Sequence, residues 1–259
     1  MAEIGCKYTR DIKILPSMVD RNEKLRLVDA LDLFEDTATL HAENFDIGPA
    51  GMDARNYFWV ITKIRIHADR LPKIMEPLKL NTWIQAPDRA SCERDFSFTS
   101  DDEQLIYGRS IWAIISRDTK RLVHMDEIYP KVEFNVAPPD DRPFARINKN
   151  FDEAETIGEY TVRSVDIDLG GHFNNVNYVR AMLGCFSVEE IEKMDIKEME
   201  LNFIHQTYEG ETLTFKSRPH VDADDAGSDS SGSSGSGRRG LEVAAVNSEG
   251  KPVFMALVL

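Results

Sequence analysis

The sequence predicts an α+β fold in which two tandem units each wrap an antiparallel sheet around a central helix. Three observations predict it. A strand, a long helix and four further strands occur in the first half, and the same order returns in the second. Glu76-Pro77-Leu78-Lys79-Leu80 and Glu211-Thr212-Leu213-Thr214-Phe215 echo each other at matching places, each opening the second strand after a helix. Between the halves, Val136 to Glu155 carries Pro138, Pro139 and Pro143 among charges, as a linker does. The expected division is 1–135, a linker at 136–155, and 156–259.

Lys7 to Leu15 reads as the opening strand. The first helix is expected over Glu23 to Glu43, with Asp20 and Glu23 as a capping box and Leu27, Leu31, Phe34 and Ala38 facing a core. Phe58 to Ala68 alternates, with Val60, Thr62, Ile64 and Ile66 on one face and Ile61, Lys63, Arg65 and His67 on the other. Lys63, Arg65 and His67 thus form a basic face, either plainly solvated or a contact for an acidic partner. Leu78 to Gln85, Cys92 to Thr99 and Leu105 to Ser116 complete the first sheet.

In the second half, Glu159 to Val165 is a strand and Asn175 to about Met194 a helix. Strands follow at Ile196 to Gln206, Thr212 to Ser217, Leu241 to Val246 and Val253 to Leu259. The Ser-, Gly- and Asp-rich stretch 222–240 reads as a disordered hairpin tip.

The chain has 259 residues, 42% of them hydrophobic and 29% charged, enough for a substantial core. A formal net charge of −14 argues against nucleic-acid binding, which needs a clustered basic surface. Cys6, Cys92 and Cys185 lack metal or redox spacing and read as reduced thiols. No signal core, transit character or membrane-length apolar run is visible, so the expected protein is soluble and cytoplasmic.

Chemistry concentrates in Asp166-Ile167-Asp168-Leu169-Gly170-Gly171-His172-Phe173-Asn174-Asn175-Val176-Asn177-Tyr178, just before the second helix. A helix N-terminus offers unpaired N–H groups and partial positive charge. Asp168 and His172 bring an acid and a possible general base to it; histidine ordinarily titrates near neutrality. Taken singly, each residue has a plain use: turns for the carboxylates and glycines, an N-cap for Asn174 or Asn175, core packing for His172. A calcium loop is rejected, because its fifth position is Gly170 and its twelfth is Asn177. No zinc spacing occurs, and no metal or cofactor is expected.

The motif and tandem layout together resemble the acyl-acyl carrier protein (ACP) thioesterases of bacteria and plant plastids, which are tandem hot-dog proteins. The family motif Asp-x-Asn-x-His-x-Asn-Asn-Val-x-Tyr appears here as Asp168 to Tyr178. Trp59-Val60-Ile61-Thr62-Lys63, Thr82-Trp83-Ile84-Gln85 and Arg117-Asp118-Thr119-Lys120-Arg121-Leu122 look like family stretches as well. The resemblance implies hydrolysis of acyl-ACP to free fatty acid, with Asp168, His172 and Gln206 catalytic. It implies amides around Asn174, Asn175 and Val176 for the oxyanion, and Gly170 and Gly171 at the substrate. Leu31, Phe34, Trp59 and Ile61 become candidates for an acyl pocket in the first unit. Lys63 and Arg65 become candidate contacts for a carrier bearing an acyl-phosphopantetheine, and a homodimer is compatible with the layout.

Two positions depart from the family: its asparagine falls on Gly170, and a glutamate falls on or near Gln206. The 4-hydroxybenzoyl-CoA thioesterase-type enzymes often carry Asp-x-x-Gly-His, which Asp168 to His172 also matches. Alternatives are therefore an acyl-CoA thioesterase of the same fold, or a catalytically weak acyl-carrier-binding protein. Asp168 as nucleophile or as water activator stays open.

Overall fold

Alternating side chains fold Met1–Pro143 into one compact unit and Phe144–Leu259 into another. The computed structural model describes residues 5–101, 103–220 and 240–259. The first unit contains β1 (Lys7–Lys13), α1 (Leu27–Glu43), α2 (Pro49–Ala54), β2 (Tyr57–Ala68), β3 (Pro77–Ile84), β4 (Cys92–Ser100) and β5 (Glu103–Ser116). The second contains β6 (Glu155–Thr161), α3 (Asn175–Leu183), α4 (Val188–Met194), β7 (Glu198–Phe203), β8 (Thr212–His220), β9 (Gly240–Val246) and β10 (Pro252–Val258).

The strand order is β1-β3-β4-β5-β2 in the first unit and β6-β8-β9-β10-β7 in the second. Counted along each unit, this is one order used twice: first, third, fourth, fifth, second. The pairings β1–β3, β3–β4, β4–β5 and β5–β2 are antiparallel, as are β6–β8, β8–β9, β9–β10 and β10–β7. The two α+β hot-dog units expected from the repeat are present.

Helix α1 buries Leu27, Leu31, Phe34 and Ala38, as its periodicity predicts. Phe34 stacks on Phe96 at 4.3 Å and Phe98 at 5.4 Å. Gly108 on β5 lies so close beneath that a Cβ there would come within 2.4 Å of the Phe34 ring.

Several expectations are corrected. Helix α1 starts four residues late, because Asp20 Oδ1 accepts the Asn22 and Lys24 amides in a tight turn and Glu23 adopts φ 61. The second helix breaks in two after Leu183: Ser187 and Glu190 form a reciprocal capping box that starts α4. Strand β6 ends at Thr161, since Ser164–Asp166 is a 3-10 turn closed by Arg163 N–H donating to Asp166 Oδ2. Strand β2 carries a bulge between Ile61 and Lys63. One extra residue reverses the faces beyond it, so Ile61, Ile64 and Ile66 are all buried rather than alternating as expected.

The segment expected to link the units, 136–155, has no helix or strand before Glu155, which opens β6, yet it is pinned at both ends. Phe134 and Val136 pack on the first unit's core, and Phe151 is buried in the second unit's. The expected disordered tip lies outside the described residues, apart from Gly240, which opens β9. No helix of the described residues is long and apolar enough to cross a membrane.

Candidate active site

The loop between β6 and α3 is built by its own side chains. Asp166, 8% exposed, receives the Tyr160 hydroxyl at 2.8 Å and the Arg163 amide at 2.8 Å on Oδ2. Its carbonyl takes the Asn174 amide at 3.0 Å and the Asn177 side-chain amide at 3.3 Å. Asp166 is thus the structural anchor that closes the loop onto the helix start.

Asp168 shapes the next turn. Its Oδ1 accepts the Gly170 amide at 2.7 Å and the His172 amide at 3.1 Å. Its amide donates to the His172 carbonyl at 2.9 Å, and its carbonyl accepts from Gly171 at 3.1 Å. Oδ2 makes no hydrogen bond among the described residues. Gly171 holds φ +81, a conformation side chains rarely adopt.

Asp168 and His172 converge over Gly170. A Cβ built there would lie 3.0 Å from His172 Nδ1 and 3.1 Å from Asp168 Oδ1. Both catalytic candidates therefore border the small volume that a side chain at 170 would claim.

The segment after β7 closes the other side. The Phe173 amide donates to the Thr207 carbonyl at 2.8 Å, tying the two loops together. The Tyr178 hydroxyl, buried on α3, donates to Thr207 Oγ1 at 2.7 Å, and burial pushes it up to about 12. Exposed Gln206 follows β7, and the Tyr208 hydroxyl donates to its Oε1 at 3.4 Å. The Tyr208 ring meets the His172 imidazole edge-on, with centroids 5.3 Å apart. Asp168, His172, Tyr208 and Gln206 thus form one chain of neighbours. Tyr208 was not among the sequence candidates, because no motif marks it.

Among the three predicted oxyanion donors, the structure narrows the choice. The Asn174 amide is spent on Asp166, and the Val176 amide is capped by Asn174 Oδ1 at 2.8 Å. The Asn175 amide at the first turn of α3 makes no hydrogen bond among the described residues. Of the three, it is the amide left open at the positive end of α3.

The first unit matches the N-terminal domain model of acyl-ACP thioesterases over residues 5–131. The second matches the family's C-terminal domain model over residues 149–248. This chain belongs to the acyl-ACP thioesterase family. It is 25% identical over 199 residues to a chloroplastic acyl-[acyl-carrier-protein] hydrolase of Cuphea viscosissima, covering 71% of this chain and 48% of that one. A chloroplastic palmitoyl-acyl carrier protein thioesterase of Cuphea hookeriana is 25% identical over 214 residues, covering 77% and 51%. The chain spans about half the length of these curated relatives. Its fold is similar to a 12:0-ACP thioesterase from Umbellularia californica, with TM-score 0.82 and 20% identity over 99% of this chain and 94% of that one. An acyl-ACP thioesterase from Bacteroides thetaiotaomicron superposes with TM-score 0.80 and 22% identity, over 98% and 97%.

In this family member, other candidates fall elsewhere. Arg65 is corrected: it is 1% exposed and is no surface contact for a carrier. Its guanidinium pairs with Asp140 Oδ2 at 3.0 Å and donates to the Arg142 and Pro143 carbonyls at 2.9 and 2.7 Å. Burial would raise Asp140, but the Arg142 hydrogen bonds and the Arg65 charge outweigh it and hold the carboxyl at about 2. Lys63 is half-buried on the same strand face.

Leu31, Phe34 and Ile61 are buried in the first unit. Trp59 sits in a different cluster, with Ile47, Met52 and Trp112, and donates its indole N–H to the Ile47 carbonyl. The thiols read as packing: burial pushes Cys92 up to about 12 and raises Cys185, whose sulfur lies against Gly158. Among the described residues no group of three His, Cys, Asp or Glu side chains is placed to hold a metal ion.

Proposed function

We propose that this chain hydrolyses the thioester of acyl-ACP, releasing a free fatty acid and the carrier thiol. The observation that carries the reading is the meeting of Asp168 and His172 over Gly170, in the loop that leads into the open Asn175 amide, in a chain with both family domains. Asp168 Oδ1 is fixed by two amides, which leaves Oδ2 to hold the attacking water. The water oxygen bonds to the thioester carbon while its proton passes to the His172 imidazole. The carbonyl oxygen gathers negative charge and takes the Asn175 N–H; one such donor is typically worth about 10²–10³ in rate. The C–S bond then breaks, and the imidazolium returns the proton to the departing sulfur. Gln206, with Oε1 held by Tyr208, keeps its amide N–H groups for the water or the substrate.

In this reading the first unit carries the acyl chain and Lys63 stays a candidate carrier contact. The test follows thiol release from matched acyl-ACP and acyl-CoA substrates over a series of chain lengths. Turnover favouring acyl-ACP is expected. A strong CoA preference reassigns the substrate, and saturable carrier binding without turnover removes the hydrolase reading.

A further inference from the structure

The imidazole of His172 has a glycine on one flank and an aromatic ring on the other. At Gly170 a Cβ would stand 3.0 Å from Nδ1, closer than such contacts normally are, so a side chain there would crowd the ring by a few tenths of an ångström. On the other flank the Tyr208 ring meets it at 5.3 Å with an interplanar angle of 64°. Edge-to-face contacts of this kind have a preferred geometry and fix orientation, beyond the area they bury. The Tyr208 hydroxyl in turn donates to Gln206 Oε1. Tyr208 itself is held at its backbone, where its amide donates to Glu211 Oε2 at 2.9 Å, next to the Phe173–Thr207 tie.

Tyr208 is nonetheless half-exposed and contributes little to any core. Packing alone gives no account of a large aromatic group there. From these contacts we infer that Tyr208 is a positioning residue. Its ring holds the His172 imidazole beside Asp168, its hydroxyl orients Gln206, and Gly170 leaves the imidazole uncrowded there. The inference rests on the hydrolase reading for its kinetic consequence but not for the contact itself.

The contact is tested first, without turnover. The His172 Cε1–H resonance is assigned by its loss in His172→Ala. It should shift in Tyr208→Ala, where the ring current is gone, and stay near its native position in Tyr208→Phe. An unmoved resonance in Tyr208→Ala overturns the inference whatever the enzyme does.

Kinetics then test the role. Tyr208→Ala should lower kcat by about tenfold to a hundredfold with KM within about twofold, the scale of a small misplacement of a reacting group. Tyr208→Phe should restore most of that loss. In the His172→Ala background Tyr208→Ala should lower the residual rate far less than it lowers the native rate, because only the Gln206 contact is left for it to act through. An equal loss in both backgrounds, or native kcat in Tyr208→Ala, overturns the positioning role. Failure of the hydrolase reading looks different: the unmodified protein releases no thiol, or His172→Ala keeps the full rate, while the resonance still reports whether the contact exists.

Discussion

Arg65→Met separates a structural cation from a carrier contact. In the folded chain Arg65 pairs with Asp140 Oδ2 at 3.0 Å and donates to the Arg142 and Pro143 carbonyls at 2.9 and 2.7 Å. Methionine keeps most of the side-chain volume and removes every donor. Breaking a buried pair from one side typically costs about 3–5 kcal/mol, because the other charge stays behind. Arg142 still reaches Asp140 through Nε and Nη2, at 3.0 and 2.7 Å, so the lower end, about 3 kcal/mol, applies here. At roughly 2–4 °C per kcal/mol for a chain of this order of size, the melting temperature should fall by roughly 10 °C. Because Asp140 is held at about 2, below its ordinary value, the pair stabilises fully above about pH 4 and its contribution fades as pH falls toward 2. The loss in Arg65→Met should fade over that same range. Thermal unfolding across pH reads the stability, and steady-state kinetics read KM for acyl-ACP. Unchanged stability with a tenfold rise in KM would refute the buried strap and restore Arg65 to the carrier surface.

Three further outcomes follow from named contacts. His41 is 1% exposed, and burial together with the Arg94 charge lowers it to about 4. The folded chain therefore loses stability as pH falls from about 6.5 toward 4, by roughly 3 kcal/mol from this group. Asp95, raised to about 6 by burial, acts in the opposite sense over an overlapping range, so urea unfolding of the parent should be compared with His41→Gln. A weaker acid dependence in the variant is expected, and identical slopes would exclude His41. Asn174→Ala removes the cap on Val176 and should cost about 1 kcal/mol by denaturant unfolding while lowering kcat, since the start of α3 frays. Gly171→Ala forces a side chain into φ +81 and should cost about 1 kcal/mol, with kcat reduced more than KM is raised.

Much of this molecule is written locally in its sequence. Alternation and 3.6-residue spacing mark the strands and helices, and the motif from Asp168 to Tyr178 packs its chemistry into eleven consecutive residues. The helix break was legible too, since Ser187 and Glu190 spell a capping box inside an apolar pattern. The bulge at Thr62 was not, because both faces of β2 carry apolar residues and the period alone cannot reveal one extra residue. Arg65 was misjudged because its partner Asp140 lies 75 residues away. Tyr208 is 36 residues from His172 in sequence and meets it only once Phe173 and Thr207 have joined their loops. The open Asn175 amide emerged only from knowing where its two neighbours' hydrogen bonds go.

Replacing Asp168 by its nearly isosteric amide probes the carboxylate without unbuilding the turn. In Asp168→Asn the side-chain carbonyl can still accept the Gly170 and His172 amides, so unfolding should change by no more than about 1 kcal/mol. Thiol release from acyl-ACP should nonetheless drop at least about a hundredfold in kcat, as the negative charge that holds the water is gone. Native turnover in a folded Asp168→Asn protein would contradict the account at its centre.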